Sequence, residues 1–309
     1  MSHQDKPQKS ETFMPIMPSI NLLKFKKEAE KIKIYPMNCD QNIEGNYDNY
    51  LNKTLLDLAI LKKLRFEHAI EDPEIYNLFP NMDKIENLKN TKKKILLLDL
   101  DETLIHADFD EKYEKEQYDT IINFESNNEN NLDNDDNDLT NDSSDNIINV
   151  GIILRPYVKE FLEKSSLYFD IGIFTASVPE YADAVINYLD PRNSFIKFRL
   201  YRNNCVLVND ELKIKDLRIL KGINLKNIIL VDNNMYSFTA QINNGILINS
   251  FYDNKKDTEL LNVFGYLMNY IYPAEDVRKV NEEMFQFKKI RDEKYKFIKK
   301  WLTEYDDME

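Results

Sequence analysis

A run of apolar residues that ends abruptly in acidic side chains constrains this chain more than any other feature. Residues 94–104 read Lys-Ile-Leu-Leu-Leu-Asp-Leu-Asp-Glu-Thr-Leu. The apolar run predicts a strand buried on both faces, as in parallel sheets. Asp99 and Asp101 then lie at the carboxyl end of that strand, where open α/β sheets bind their ligands. Because burial of an unpaired carboxylate is costly, we expect the chain to supply a cation or to use one carboxyl group as a proton carrier.

From residue 92 onward, strand patterns alternate with helix patterns. Alternation of this kind predicts an α/β fold with a doubly wound, mostly parallel sheet. Residues 198–214 break the rhythm with Asn-Asn and Asn-Asp pairs that are typical of hairpin turns, so we predict a small antiparallel β insertion there. The predicted strands are 95–98, 147–154, 169–174, 227–231 and 246–248, and the predicted helices are 156–167, 179–189, 237–243, 256–270 and 275–301. In the helix at 256–270 we expect Leu260, Leu261, Phe264 and Leu267 to face inward.

Composition divides the chain into three parts. Residues 1–91 form an N-terminal extension that we predict to be partly disordered, with a docking helix at 54–68 where leucines recur at helical spacing. Residues 92–273 form the main domain, and residues 274–309 form a charged C-terminal helix. Within the main domain, residues 125–146 are almost entirely Asn, Asp, Ser and Glu. Such a segment cannot bury enough apolar surface to order itself, so we predict a disordered acidic insertion.

Charge and cysteine content exclude several classes of function. The net charge of −13 disfavours direct binding to nucleic acid or to an anionic membrane, and it favours a basic or neutral peptide partner. With only Cys39 and Cys205, the chain has neither a disulfide framework nor a cysteine-rich zinc site. No apolar run is long enough to span a bilayer, and residues 1–11 lack the apolar core of a signal peptide. We therefore expect a monomeric protein of the nucleus or cytoplasm.

The spacing of Asp99 and Asp101 suits acid and nucleophile chemistry. A single aspartate at a strand end is often a cap or a surface carboxylate. Here a second carboxylate and Thr103 follow at alternate positions, which favours a chemical role. One carboxylate attacks as a nucleophile, while the other reaches the leaving-group oxygen as a general acid. Two carboxylates near one cation are pushed apart in pKa, so that one stays ionised and the other carries a proton.

At this point the sequence resembles a known family. Residues 99–106, Asp-Leu-Asp-Glu-Thr-Leu-Ile-His, resemble the first motif of the haloacid dehalogenase superfamily, and most closely that of the phosphatases acting on the carboxy-terminal domain of RNA polymerase II, of the small-phosphatase or NLI-interacting-factor-like type. The resemblance spans roughly residues 92–270. It continues in order through Leu154-Arg155-Pro156, Phe174-Thr175-Ala176-Ser177, Tyr181-Ala182-Asp183, Tyr201-Arg202 with Cys205, Lys215-Asp216-Leu217 and Val231-Asp232-Asn233.

The resemblance implies a role for each matching residue. Asp99 is the implied nucleophile, which forms an aspartyl-phosphate, and Asp101 is the implied general acid and then base. The implied cofactor is Mg²⁺, whose binding residues would be Asp99, the main-chain carbonyl of Asp101, Asn233 and, as a support for metal and lysine, Asp232. Thr175 and Lys215 would hold the phosphoryl oxygens, and Arg155 would bind substrate. Taken singly, Thr175 is also compatible with a strand-end cap, Lys215 with a solvated charge, Asp232-Asn233 with a plain turn, and Arg155 with a surface ion pair.

The function implied is that of a Mg²⁺-dependent protein serine/threonine phosphatase acting on phosphopeptide segments of a phosphoprotein, with the polymerase tail as one candidate. Two alternatives stay open: a non-catalytic binding or scaffold module of the same fold, as in the import-receptor branch, and a small-molecule phosphatase. The chain departs from the family pattern in two places. Asn234-Met235 replaces the usual Ser-Pro after Asn233, which predicts a less rigid loop, and the acidic insertion at 125–146 is foreign to the compact pattern.

Overall fold

The structure is a computed structural model that describes residue 88 and residues 92–109, 115–125, 147–208, 212–220 and 222–306, with side chains as far as residue 296. Its strands are β1 (Lys94–Leu98), β2 (Ile105–Asp108), β3 (Thr120–Glu125), β4 (Ile147–Leu154), β5 (Phe169–Phe174), β6 (Ile196–Leu200), β7 (Val206–Val208), β8 (Leu212–Ile214), β9 (Ile228–Asp232) and β10 (Gly245–Leu247). Its α-helices are α1 (Val158–Ser166), α2 (Pro179–Leu189), α3 (Glu259–Tyr266), α4 (Val277–Phe285) and α5 (Phe287–Asp306).

The centre of the fold is a five-stranded sheet in the order β10-β9-β1-β5-β6, in which every pair is parallel. The apolar run of β1 lies in the middle of this sheet, and it is buried on both faces as predicted. Leu96 and Leu98 point into one core cluster, whereas Ile95 and Leu97 point into the other. The alternation of strand side chains between faces explains this division.

Different elements cover the two faces of the sheet. Helices α1, α2 and α3 contribute apolar side chains to the first cluster. The second cluster receives the 3₁₀ segment Met235–Asn244 and the start of α5. The chain is therefore a mixed α/β protein with a parallel central sheet, which confirms the predicted fold class.

Two small antiparallel sheets accompany the central one. Strands β7 and β8 form the predicted insertion, although it is shorter than expected because β6 belongs to the parallel sheet. The second is a three-stranded sheet in the order β2-β4-β3, which the sequence did not predict. Strand β4 was predicted, but its pairing partners β2 (Ile-His-Ala-Asp) and β3 (Thr-Ile-Ile-Asn-Phe-Glu) were not, because neither has an uninterrupted apolar run like that of β1.

The C-terminal region differs from the sequence prediction. Instead of one charged helix, the chain forms α4 and α5, which are separated by Gln286, whose φ of 53° lies in the left-handed region. The rings of Phe285 and Phe287 stack at 5.1 Å across this break, and Phe285 packs against both core clusters. Leu261 was also predicted wrongly, because its side chain is 43% exposed.

Two further predictions fall largely where the structure gives no description. The docking helix at 54–68 lies outside the described residues, and so does the acidic insertion apart from Glu125, which ends β3. The division of the chain into three parts accordingly stays a prediction. Among the described helices, none has the length and apolar character needed to cross a membrane.

The tight approach of β5 and β6 yields a stability prediction. A Cβ added to Gly172 would lie 2.4 Å from a ring atom of Phe198. We expect Gly172→Ala to lower the free energy of unfolding by about 1–3 kcal/mol through overpacking, as measured by urea denaturation. Gly265→Ala is the matched control, because Gly265 lies in α3 with nothing within 4 Å of its added Cβ. That control should be neutral or stabilising by up to about 1 kcal/mol, and equal losses in both variants would contradict the packing argument.

Candidate active site

The carboxyl ends of three neighbouring strands bring the predicted site residues together. Asp99 follows β1, Thr175 follows β5, and Asp232 ends β9, and β1 pairs with both other strands. The Asp99 main-chain N–H donates to the carbonyl of Val231 at 2.9 Å, and that of Thr175 donates to the carbonyl of Leu200 at 3.0 Å. Parallel pairing therefore holds the three side chains at one edge of the sheet.

Lys215 links two of these carboxylates. Its Nζ donates to Asp99 Oδ1 at 2.5 Å and to Asp232 Oδ2 at 2.6 Å. The side chains of Lys215 and Asp232 are almost wholly buried, and that of Asp99 is only 9% exposed. The lysine follows β8, and its own N–H donates to the carbonyl of Ser237 at 2.7 Å, which fixes the backbone beside the site.

The charges of this group do not balance. Burial opposes the charge on Lys215, but Asp232 and Asp99 outweigh burial and raise the pKa of Lys215, so the lysine is cationic at neutral pH. Burial, and then repulsion from Asp99, raise the pKa of Asp232, while Lys215 lowers it in part. Two carboxylates share one lysine, so the site has capacity for further positive charge.

Thr103 joins Asp99 to Asn233. Its Oγ1 lies 3.2 Å from Asp99 Oδ2 and 3.3 Å from Asn233 Oδ1, and it accepts the Asn233 N–H at 3.2 Å. Ser250 orients the amide group of Asn233, because the Nδ2 atom donates to Ser250 Oγ at 3.0 Å. The amide oxygen therefore faces the same hydroxyl as the Asp99 carboxylate.

Asp101 occupies a separate environment next to the loop after β5. Ser177 Oγ donates to Asp101 Oδ2 at 2.6 Å, and the Tyr181 hydroxyl donates to Asp101 Oδ1 at 2.5 Å. Burial raises the pKa of Asp101, and the two hydrogen bonds offset only part of the rise. Burial, followed by the Asp101 charge, raises the pKa of Tyr181 as well, which keeps its hydroxyl a donor. Asp101 is therefore suited to carry a proton.

Thr175 lies at the start of the loop that contacts Asp101. Its side chain is buried, and its Oγ1 accepts the main-chain N–H of Ser177 at 3.0 Å, an arrangement in which the hydroxyl can still donate. Ser177 in turn bonds Asp101, so the loop after β5 places a hydroxyl donor beside the proton carrier. A hydroxyl and a lysine on one sheet edge suit the binding of phosphoryl oxygens.

Arg155 requires a correction. We predicted that it would bind substrate, but its side chain has no exposed surface. Its guanidinium forms a bidentate pair with Asp257 at 2.9 Å and also donates to the main-chain carbonyls of Thr103 and Asn249. Arg155 therefore ties together the loops that carry Thr103 and Ser250, and it acts on the site through these loops.

The oxygen atoms around Asp99 fit a hard divalent cation. Asp99, the main-chain carbonyl of Asp101 and the amide oxygen of Asn233 would be the ligands, and Mg²⁺ prefers oxygen ligands of this kind with retained waters. Both oxygens of Asp232 are engaged, one by Lys215 and the other by the Asn234 N–H, so Asp232 would support the site through the lysine. Within the described residues, no group of three or more His, Cys, Asp or Glu side chains forms a metal cluster.

Several contributing residues received no role from the sequence. Ser177 and Tyr181 belong to a motif quoted above, but their bonds to Asp101 depend on how the loop after β5 and the first turn of α2 lie beside the loop after β1. Ser250 gave no sequence signal, because it reaches Asn233 only through the parallel pairing of β10 with β9. The ring nitrogen Nδ1 of His106, the last residue of the 99–106 motif, lies 3.1 Å from Glu102 Oε1 in an i, i+4 pair.

Comparison with known proteins adds an independent observation. Residues 94–278 match the family model described as NLI interacting factor-like phosphatase. The chain is 36% identical over 197 residues to the CTD small phosphatase-like protein 2 of Dictyostelium discoideum, covering 64% of this chain and 30% of that protein. It is 32% identical over 200 residues to the CTD small phosphatase-like protein 3 of Caenorhabditis elegans, covering 65% of this chain and 62% of that protein.

A third relative is covered more fully. The CTD nuclear envelope phosphatase 1B of Danio rerio is 33% identical over 193 residues, covering 62% of this chain and 73% of that protein. The chain thus spans less than two thirds of the length of the first two relatives. The alignment with the solved structure of the fission yeast RNA polymerase II CTD phosphatase Fcp1 covers 73% of this chain and 58% of that chain. Its TM-score is 0.42 and the sequence identity is 18%. That superposition is too loose for a comparison of side chains.

The buried lysine yields a prediction that does not depend on activity. Lys215→Met removes the cation and leaves Asp99 and Asp232 facing each other in a buried site. We expect a loss of about 3–5 kcal/mol in the free energy of unfolding, measured by denaturant titration in metal-free buffer at pH 7. Adding Asp232→Asn to Lys215→Met should restore part of that loss, since one of the unpaired charges is gone. A loss below about 1 kcal/mol, as for a surface pair, would contradict this account.

Proposed function

The chain belongs to the NLI interacting factor-like phosphatase family, and we propose that it is a Mg²⁺-dependent protein serine/threonine phosphatase that forms an aspartyl-phosphate on Asp99. The observation that carries the proposal is the contrast between two carboxylates two residues apart. Asp99 is held by the cation Lys215, whereas burial raises the pKa of Asp101. One is suited to attack and the other to donate a proton.

In the proposed reaction, an oxygen of Asp99 attacks the phosphorus of a phosphoserine or phosphothreonine. The new O–P bond forms as the bond to the side-chain oxygen breaks, and that oxygen takes the proton from Asp101. Water then attacks the phosphorus of the aspartyl-phosphate, Asp101 takes back a proton, and inorganic phosphate leaves. Ser177 and Tyr181 hold the Asp101 carboxyl group in place during both steps.

Charge neutralisation accompanies this chemistry. Lys215 and the hydroxyl of Thr175 would contact the phosphoryl oxygens, whose charge must be held throughout the transfer. Bound Mg²⁺ would supply further neutralisation of that charge, with Asp99, the carbonyl of Asp101 and Asn233 as its protein ligands. Asp232 keeps Lys215 in position through the 2.6 Å bond.

A phosphoprotein substrate is favoured over a small molecule by the size of the insertion. Strands β7 and β8 have three residues each, and among the described residues they form the only sheet inserted between β6 and β9. A hairpin of this size does not make a lid, so an extended peptide could reach the site. Several relatives are named as CTD small phosphatases, and the polymerase tail is therefore one candidate substrate. The proposed setting is a monomer in the nucleus or cytoplasm.

A scaffold module of the same fold is the alternative of a different class. A module without turnover has no need for a buried lysine between two carboxylates or for a hydrogen-bonded second carboxyl group. Hydrolysis of an aryl phosphate with and without Mg²⁺ separates the two functions. Turnover that requires Mg²⁺ supports the phosphatase, and its absence at every Mg²⁺ concentration would favour the scaffold.

The nucleophile assignment predicts the result for Asp99→Asn. Asparagine has nearly the same shape but cannot form an acyl-phosphate, so we expect kcat to fall at least about a thousandfold. Circular dichroism should show that the variant keeps an intact fold. When the reaction with a labelled phosphate substrate is quenched in acid during turnover, the wild-type protein should carry covalently bound phosphate and the variant should carry none. Substantial residual activity, or labelled phosphate on the variant, would remove the role from Asp99.

The general-acid assignment predicts a dependence on the leaving group. An alkyl alkoxide needs a proton to depart, whereas an aryl oxide needs little help, so Asp101→Asn should cost about 10²–10⁴-fold in kcat/KM on a phosphoserine peptide and much less on an aryl phosphate. Ser177→Ala should show the same asymmetry on a smaller scale, because it removes one of the two donors to Asp101. Equal losses on both substrates would show that Asp101 has another role.

A further inference from the structure

The segment Met235–Asn244 begins two residues after the proposed ligand Asn233 and runs into the second core cluster. Met235 has no exposed surface and belongs to that cluster, together with Phe287 and Ile290 of α5. Met235 directly follows the Asn233–Asn234 loop, and its side chain is wholly buried in the second core cluster. Close packing of that side chain fixes where the loop backbone can lie. The packing of Met235 therefore anchors this end of the loop.

The same segment contacts the other half of the site. The carbonyl of Ser237 accepts the Lys215 N–H at 2.7 Å. Gln241 accepts the Leu217 N–H at 2.9 Å and donates to Asp216 at 3.0 Å. Asn234 donates its N–H to Asp232 at 2.7 Å and caps the start of the segment by accepting the Tyr236 N–H at 3.0 Å. A displacement of this segment would accordingly move the backbone on both sides of the lysine.

The C-terminal helices support the segment from outside. Both α4 and α5 pack against Met235–Asn244. The family match ends at residue 278, so all of α5 and most of α4 lie beyond it. Ile290, which is 8% exposed, and Phe287 are the α5 side chains in the cluster with Met235.

We propose that Met235 is a positioning residue for Asn233, and that α5 sets the affinity of the site for Mg²⁺ by packing on the segment Met235–Asn244. The inference rests on the proposed function, because it takes Asn233 as a ligand. Thr103 and Ser250 orient the Asn233 side chain, but they cannot fix the backbone that follows it. When the buried Met235 side chain is truncated, the loop samples other conformations. Metal binding must then offset the entropy cost of reordering the loop, which lowers the affinity for Mg²⁺.

The competing explanation is that Met235 only fills space in the core. In that case its truncation would lower stability and leave the metal affinity of the folded protein unchanged. Leu162→Ala provides the matched control, since Leu162 in α1 is equally buried but belongs to the first cluster on the opposite face of the sheet. The two truncations remove similar apolar volume and should have similar effects on stability.

The experiment measures Mg²⁺ affinity in two ways for the full chain and its variants. One readout is the Mg²⁺ concentration at half-maximal hydrolysis of an aryl phosphate, and the other is the rise in Tm on Mg²⁺ titration, which needs no turnover. We expect Met235→Ala to raise the half-saturating Mg²⁺ concentration about tenfold, with kcat at saturating Mg²⁺ within about twofold of wild type. Ile290→Ala should raise the half-saturating Mg²⁺ concentration by a smaller factor. Met235→Leu should keep the wild-type value, because leucine conserves the side-chain volume.

Leu162→Ala should leave the Mg²⁺ dependence unchanged in both readouts. If Met235→Ala and Leu162→Ala give the same Mg²⁺ titration, or if Met235→Ala lowers kcat without shifting that titration, the positioning role is overturned. A wild-type protein whose Tm and activity both ignore Mg²⁺ would instead overturn the metal dependence of the proposed function, and this inference with it.

Discussion

The burial of Asp99 beside Lys215 is the interaction on which the rest of the site depends. A carboxylate taken out of water is tolerated only when a partner replaces its hydration, and here the partner is a lysine that is itself buried. The same lysine also pairs with a second carboxylate, which β9 supplies as Asp232. Strands β1 and β9, which are paired in the central sheet, are therefore also joined by charge to the end of β8, and a folding error in any of the three would leave a buried charge without its partner.

Much of this arrangement could be predicted from the sequence because it follows from strand ends. An apolar run that stops at Asp99 places that side chain at the sheet edge, and the same reasoning places Thr175 and Asp232 beside it. What could not be predicted depends on distances set by packing. The bonds of Ser177 and Tyr181 to Asp101 depend on the position of the loop after β5 and the first turn of α2. Arg155 is buried because Asp257, far along the chain, offers it a bidentate partner.

Helix ends were predicted less well than strand ends, for a related reason. The charged C-terminal pattern continues unbroken through Gln286, and nothing in its composition marks a stop. The break arises because stacking of Phe285 on Phe287 and burial of Ile290 outweigh the cost of a left-handed residue. Likewise Leu261 fits the helical spacing of its neighbours, yet it faces outward because Leu260, Val263 and Leu267 form the buried face of the helix and Leu261 lies about 100° around the helix axis from Leu260.

The position of Phe285 has a consequence for how the molecule opens. Its ring packs against both core clusters, so it bridges the two sides of the sheet at the point where α4 meets α5. Local openings in proteins usually follow cooperative units, and a shared side chain merges units that would otherwise open independently. Amide protons in α4 and at the start of α5 should therefore exchange with solvent through openings that also loosen the core on each side of the sheet, rather than by fraying from the chain end. The amide protons of the C-terminal helices would thus exchange through the same slow openings as those of the central sheet.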